Sequence, residues 1–126
     1  MLKSVDCVML RVPELEAALA FYRDVMGLKP LWSDGEMAGL AFPQMAAIGI
    51  STELVIHTNP LIPALDVNYK VDDVVGAVEE LAQCGCEVLA GPFPIAIGQC
   101  AVVRDPFGNS FTLVDITNGL RTNNLD

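Results

Sequence analysis

The sequence predicts an α+β fold in which two similar halves are related by a pseudo-twofold axis. Residues 6–12 have the pattern of a strand and precede a predicted helix that stops at Gly27. Residues 65–71 repeat that pattern at an offset of 59 positions and precede a predicted helix that stops at Gly85. A strand-like segment follows each helix, at residues 28–32 and 86–90. Matching positions of a duplicated unit face each other, so Cys7 and Asp66 mark the first place to search for a binding site.

Length and composition are those of one packed domain spanning residues 1–126. A chain of 126 residues with 52% hydrophobic residues can bury a core, and it contains no apolar run of the length that spans a membrane. The net charge of −9 opposes binding to nucleic acid or to an anionic membrane and favours solubility, with a weaker preference for cationic ligands.

The beginning of the chain and its cysteines indicate a location. The first residues reach Lys3 and Asp6 before any apolar signal-peptide core can form, so we expect a cytoplasmic protein. The four cysteines have neither CxxC nor zinc-finger spacing, and free thiols fit the reducing cytoplasm.

The first half, at about residues 4–57, predicts four strands and one helix. Val8, Leu10 and Val12 alternate with polar or mixed residues as in a half-buried strand. Pro13 suits the first turn of the helix, and Gly27 suits its C-terminal cap. Strands are then predicted at residues 29–33, 37–42 and 48–57, with the turn residues Asp34-Gly35 between the first two. Residues 58–64 contain two prolines and form the predicted linker.

The second half, at about residues 65–116, repeats this order. Asp72 is the predicted cap of a helix that ends at Gly85, and strands are predicted at residues 87–90, 99–104 and 110–115. Residues 105–109, Asp-Pro-Phe-Gly-Asn, predict a tight hairpin between the last two strands. Residues 91–98, bounded by glycines, form either a long hairpin connection or a lid over a pocket. The polar tail at residues 117–126 is expected to fray.

Two sequence motifs indicate a resemblance to a known family, and the resemblance covers roughly residues 4–116. Phe-Tyr-Arg-Asp-Val-Met-Gly-Leu at residues 21–28 closes the first helix, and Asp-Pro-Phe-Gly-Asn precedes the last strand. With the duplicated order of elements, the chain resembles the glyoxalase, bleomycin-resistance and extradiol-dioxygenase (vicinal oxygen chelate) superfamily. The resemblance implies two βαβββ modules whose curved mixed sheets enclose a cleft. It does not select an activity, because the superfamily includes lyases, isomerases, dioxygenases, transferases and non-enzymatic drug binders.

The resemblance also implies four metal-ligand positions, taken here by Cys7, His57, Asp66 and Thr112. The family usually has histidine, histidine or glutamate, histidine and glutamate there, so three positions depart from the pattern. His57 is the only histidine, which excludes a two-histidine, one-carboxylate iron site within a protomer. Cys7, His57 and Asp66 with water remain a chemically reasonable zinc set, but threonine cannot replace the glutamate as a base. Alternatively, Cys7 is a buried apolar residue, His57 a hydrogen-bonded wall residue and Asp66 a polar group of a pocket.

The same strand alternation assigns further residues to the concave face. Apolar walls with a few polar groups are typical of a small-molecule pocket. Arg11 lies in a strand similar to that of glyoxalase I, in which an arginine helps to bind a carboxylate of glutathione; an ion pair at the sheet edge is the other interpretation. The predicted ligand-binding residues are Met9, Arg11, Trp32, Phe42, Asn68, Lys70, Gln99 and Ser110.

Three classes of function follow, and the first is the prediction. It is a protein that binds a small organic molecule in the cleft of a homodimer, with a degenerate metal site and no cofactor. The second is a divalent-metal, zinc-type lyase or isomerase, and the third is an enzyme or sensor that uses the Cys7 thiol. In the predicted dimer, Cys7 and His57 of one chain face Asp66 and Thr112 of the other. The expected ligand has an apolar or aromatic body with polar ends and lies over Trp32 and Phe42; it is not rich in phosphate, because no glycine-rich turn opens a helix.

Overall fold

The computed structural model describes residues 1–49, 52–119 and 124–125, and these residues form two compact units. The α1 unit comprises residues 7–49, 52–66 and 124–125, and the α3 unit comprises residues 1–6 and 67–119. Each unit contains one sheet and one long helix, which is the predicted α+β class. No described helix is long and apolar enough to cross a membrane.

The α1 unit contains a four-stranded mixed sheet in the order β2-β3-β4-β1. Strands β1 and β4 are parallel, while β2 with β3 and β3 with β4 are antiparallel. The helix α1 packs Leu15, Ala18, Leu19 and Tyr22 against one face of this sheet, where Leu40, Leu54 and Ile56 are buried. The unit contains β1 (Ser4–Arg11) from Cys7 onward, α1 (Leu15–Asp24), β2 (Lys29–Ser33), β3 (Met37–Ala41), α2 (Pro43–Ala47) and β4 (Glu53–His57).

The α3 unit has the same arrangement, with the strand order β5-β8-β7-β6. Strands β5 and β8 are parallel, and the other two pairs are antiparallel. The helix α3 buries Val74, Ala77 and Val78 against Ala101, Val103 and Leu113. The unit contains β5 (Leu65–Lys70) from Val67 onward, α3 (Val74–Gln83), β6 (Glu87–Ile95), β7 (Gly98–Arg104) and β8 (Ser110–Val114).

The repeat predicted from the sequence is confirmed in the helices. Helices α1 and α3 both have 10 residues, and they begin 59 positions apart at Leu15 and Val74. The two tight turns are confirmed as well. Gly35 and Gly108 adopt positive φ, and the carboxylates of Asp34 and Asp105 accept hydrogen bonds from backbone amides of their own turns.

Both long helices begin later in the chain than predicted. Glu14 caps α1 by accepting from the amides of Glu16 and Ala17, so Pro13 lies before the helix rather than in its first turn. Asp73, not Asp72, caps α3 through the amide of Gly76. In α3, a carboxylate at position 72 or at position 73 could reach a free amide of the first turn, and the direction of the backbone as it leaves the strand decides which of the two does so.

Three segments differ from their predicted structure. Residues 43–47, which carried no prediction, form the short helix α2, and the strand predicted at 48–57 begins at Glu53; Ile50 and Ser51 of that prediction lie outside the described residues. Residues 91–95 continue β6, with Phe93 opposite Cys100 and Ile95 opposite Gly98, so the predicted loop or lid is mostly strand. In the tail, the amides of Asn124 and Leu125 donate to the Leu31 carbonyl at 2.8 Å, which contradicts fraying at these two residues.

Asp115 holds the end of β8 to the start of α3. Its side chain is fully buried. One carboxylate oxygen accepts from the Val74 amide at 2.9 Å, and the other accepts from the Gln99 amide at 2.9 Å and the Thr117 hydroxyl at 2.8 Å. Burial alone would raise the pKa of Asp115, but these hydrogen bonds together hold it below its ordinary value.

Candidate functional site

The candidate site lies on the face of the α1-unit sheet that α1 does not cover, which we call the site face. Neighbouring strands place their residues there in pairs: Cys7 beside Glu53, Met9 beside Val55, and Arg11 beside His57. The alternate residues, among them Val8, Leu10, Leu54 and Ile56, pack on the α1 side. The period-2 pattern of β1 therefore assigned Cys7, Met9 and Arg11 to the correct face, and pairing with Arg11 places His57 of β4 there as well.

The centre of the site face is apolar. Cys7, Met9, Trp32 and Val55 are buried together, each with no more than 8% of its surface exposed. Leu31, Met37 and Ile62 pack around them. Because Cys7 is enclosed by these side chains, its thiol has the setting of a packed apolar group rather than of an exposed nucleophile.

A tryptophan–glutamate pair lies beside this apolar cluster. The Trp32 indole N–H donates to the Glu53 carboxylate at 2.6 Å. Gly39 lies opposite Trp32 in the register of β2 and β3, and a Cβ at this position would collide with both the indole and the carboxylate. Glu53 and Gly39 were not predicted as site residues. Glu53 alternates along β4 in step with Val55 and His57. This alternation in the sequence could have assigned Glu53 to the site face.

His57 is fully buried at the end of β4. Its Nδ1 accepts a hydrogen bond from the Asn59 amide at 3.1 Å, whereas its Nε2 has no hydrogen-bond partner among the described residues. Burial lowers the pKa of His57, the positive charge of Arg11 lowers it further, and the carboxylate of Asp66 opposes both. The imidazole is therefore neutral at physiological pH.

Two charged residues of the same chain, Arg11 and Asp66, act on the pKa of His57. The Arg11 guanidinium is at the surface and donates to the Ile62 carbonyl at 2.9 Å, which ties it to the linker. Asp66 is buried, with 6% of its surface exposed. Asp66 also acts on the pKa of His57 within the same chain, and the predicted pairing of these two residues across a dimer stays a prediction.

The described residues do not fit the metal site that the fold implies. Across residues 1–49, 52–119 and 124–125, no three side chains of histidine, cysteine, aspartate or glutamate are grouped so that they could hold an ion. Cys7, His57 and Asp66 therefore do not form a complete ligand set, and Thr112 belongs to the α3 unit. We derive no chemical step through a metal.

The predicted residues of the α3 unit lie on the face away from α3, with one exception. Asn68 pairs in register with Thr112, and Ser110 has the same parity as Thr112. Lys70 shares this parity and forms an ion pair of 3.7 Å with Asp6. Gln99 does not share this parity. Because Cys100 pairs with Val114, Gln99 lies on the same side of β7 as Ala101 and Val103, which pack against α3.

Phe42 is a second correction. It precedes α2 and packs against the buried cluster on the α1 side of the sheet, so it is not a wall of the site face. Trp32 is on the site face as predicted, where a register shift between Pro30 and Trp32 interrupts the regular pairing of β2 with β3.

Comparisons with known proteins agree with this architecture. Residues 4–113 match the profile of the Glyoxalase/Bleomycin resistance protein/Dioxygenase superfamily. A search of curated proteins finds no significant match.

Solved structures show the same fold at low sequence identity. Methylmalonyl-CoA epimerase of Streptomyces coelicolor, in complex with 2-nitronate-propionyl-CoA, has a TM-score of 0.68 at 17% identity, over 93% of this chain and 99% of that one. Homoprotocatechuate 2,3-dioxygenase from B. fuscum, in complex with HPCA, has a TM-score of 0.66 at 22% identity, over 95% of this chain and 34% of that one. An NAD-dependent benzaldehyde dehydrogenase from Legionella pneumophila has a TM-score of 0.69 at 14% identity, over 88% and 98% of the two chains.

These identities establish the fold and not an activity, and the profile match covers most of the sequence. The chain belongs to the glyoxalase, bleomycin resistance protein and dioxygenase superfamily.

Proposed function

We propose that residues 1–126 act as one domain that binds a small organic molecule on the site face without a metal ion, in the cleft of a homodimer. The observation that carries this proposal is a buried apolar cluster on the site face that contains Met9, Trp32 and Val55 and has fixed polar atoms at its border. Pockets for small organic molecules combine apolar walls with a few oriented polar groups in this way. The four free cysteines support a reducing, cytoplasmic location.

The ligand we propose has an aromatic or apolar body and polar ends. Trp32 contributes a large apolar side chain to the buried cluster of the site face, while Arg11 and His57 supply polar groups at the end of β1 and β4. A net charge of −9 disfavours polyanions such as nucleic acids. Two structural neighbours were solved with bound small molecules, 2-nitronate-propionyl-CoA and HPCA, which supports the binding of a small molecule by this fold but not a particular class of ligand.

Binding can be measured through Trp32, because it is the only tryptophan of the chain. We expect aromatic compounds to change Trp32 fluorescence and to raise the melting temperature, since a ligand that binds only the native state stabilises it. Arg11→Ala should weaken this effect. Arg23→Ala is the matched control, because Arg23 is on the surface of α1 and pairs with Asp24. Nucleotides that stabilise the protein when aromatic compounds do not would refute the proposal.

Metal content distinguishes this proposal from the zinc-dependent alternative. We expect protein purified without chelator to carry far less than one equivalent of any transition metal, and EDTA to leave the melting temperature unchanged. A structural zinc ion would contribute several kcal/mol, so its removal would lower the melting temperature by many degrees. Stoichiometric zinc that is lost in His57→Ala would favour the metal-dependent lyase or isomerase.

A further inference from the structure

His57 combines two observations that determine where its proton lies. Its Nδ1 faces the amide N–H of Asn59 at 3.1 Å. An N–H group can donate only to a nitrogen that has a free lone pair, so Nδ1 carries no proton. A neutral imidazole has one N–H, which must then be on Nε2.

The Nε2–H group is buried without a hydrogen-bond partner among the described residues. Leaving a buried donor unpaired costs about 1 to 3 kcal/mol, and such groups are rare in native proteins. The group lies at the end of β4, where register places Arg11 on one side and Met37 on the other. An unpaired donor at this position of the site face indicates that a ligand atom accepts from it.

We propose that the Nε2–H of His57 donates a hydrogen bond to the carbonyl oxygen of the bound molecule, and that His57 therefore does not ligate a metal. This inference rests on the proposed function, which it deepens by naming the group that is recognised. Ligation through Nε2 needs the lone pair that the proton occupies. Moving the proton to Nδ1 would set it against the Asn59 N–H and break that hydrogen bond.

The charges around His57 favour a neutral carbonyl over a carboxylate. The positive charge of Arg11 acts on the ring and suits an oxygen that carries partial negative charge. The buried carboxylate of Asp66 also acts on the ring and would repel a full negative charge. A ketone, ester or amide oxygen is compatible with both the positive charge of Arg11 and the negative charge of Asp66.

The tautomer can be observed directly because His57 is the only histidine of the chain. In a long-range ¹⁵N–¹H correlation spectrum of the wild-type protein, we expect Nδ1 to have the shift of an unprotonated nitrogen and Nε2 that of a protonated one. Added Zn²⁺ should leave both shifts unchanged. Protonated Nδ1, or a one-to-one zinc-dependent shift of Nε2, would overturn the inference.

Three probes test the recognised group. Benzamide has a neutral carbonyl, benzoate has a carboxylate, and benzylamine has no acceptor oxygen. By Trp32 fluorescence, we expect benzamide to bind most tightly of the three. His57→Asn keeps an acceptor for the Asn59 amide but does not reach the Nε2 position, and it should weaken benzamide binding about tenfold without changing benzylamine binding. His57→Gln, whose amide N–H reaches that position, should restore part of the loss.

Equal losses for benzamide and benzylamine in His57→Asn would refute recognition of the carbonyl, as would tighter binding of benzoate than of benzamide. These results differ from failure of the proposed function, in which no probe changes Trp32 fluorescence in the wild-type protein. The NMR measurement needs no variant, so it tests the tautomer even if His57→Asn does not fold.

Discussion

At the scale of single residues, the pairing of Trp32 with Glu53 depends on the absence of a side chain at Gly39. The indole and the carboxylate lie where a side chain at position 39 would be, so the missing Cβ creates their space. The hydrogen bond satisfies the only polar atom of a tryptophan that is otherwise packed among Cys7 and Met9. One glycine thus permits both the orientation of the indole and the partial burial of a carboxylate.

Removing either component should disturb Trp32. We expect Glu53→Ala to destabilise the protein by about 1 to 3 kcal/mol, because a buried indole N–H loses its acceptor. Gly39→Ala should destabilise it by a similar amount, about 1 to 3 kcal/mol, because the added methyl group displaces the indole. Urea denaturation followed by Trp32 fluorescence measures both effects, and the native emission should shift in each variant.

Glu36→Ala is the matched control for the loss of a glutamate, since Glu36 is exposed at the turn between β2 and β3. It should change stability by less than about 0.5 kcal/mol. Unchanged emission in Gly39→Ala would contradict the packing described for Trp32.

At the scale of elements, each long helix starts at a carboxylate that accepts from its first amides. Glu14 does so for α1 and Asp73 for α3, which satisfies amides that have no partner within the helix. In α3, Asp115 adds a contact from a distant strand by accepting from the Val74 amide. This contact fixes the helix to the sheet as well as capping it.

Because of Asp115, the free energy of unfolding should depend on pH in the acidic range. Its folded pKa is lowered, so its contribution is present above the ordinary aspartate pKa of about 4 and is lost as pH falls through the folded pKa. We expect Asp115→Asn to cost about 3 kcal/mol near neutral pH, where hydrogen bonds to a charged group are lost, and to lose less stability than wild type on acidification. Urea titrations at about pH 7 and about pH 3 measure both quantities.

Asp72→Asn serves as the control for the loss of an aspartate. Asp72 pairs with Lys3 at 3.4 Å on the surface, and such an exposed ion pair contributes little. An Asp115→Asn variant as stable as the Asp72→Asn variant would show that the buried carboxylate has no structural role.

Strand β6 is the last strand in the order of the α3 unit, and it is apolar yet exposed. Val88, Leu89 and Phe93 each have more than a third of their surface exposed. Pro92 and Pro94 have no amide N–H to donate, and prolines in an edge strand discourage pairing with another chain. Pro92 and Pro94 are therefore compatible with a strand at the edge of the sheet.

At the scale of the whole molecule, the proposed function requires a second copy to complete the cleft. We expect light scattering to give twice the 13.5 kDa mass of one chain at tens of micromolar. The melting temperature should rise with protein concentration, because dimerisation stabilises the native state by mass action. A monomer at that concentration, with a melting temperature that does not depend on dilution, would remove the dimer from the proposal.

The sequence by itself determined the features that depend on neighbours along the chain. Alternation in β1 placed Cys7, Met9 and Arg11 on one face, and the offset of 59 positions predicted two matching helices, which begin in the structure at Leu15 and Val74. The turns at Gly35 and Gly108 also followed, because their backbone geometry is set by two to five consecutive residues.

Only the tertiary structure decided which distant residues meet. Trp32 and Glu53 are 21 positions apart, and their pairing depends on the space left by Gly39. Gln99 could be assigned to a face only once β7 was aligned with β8, and Phe42 only once α2 was known. The proton position of His57 follows from the path of the chain after β4, which presents the Asn59 amide to Nδ1. Local patterns set the faces of each element, whereas register between strands and close packing arise from contacts between segments far apart in the chain.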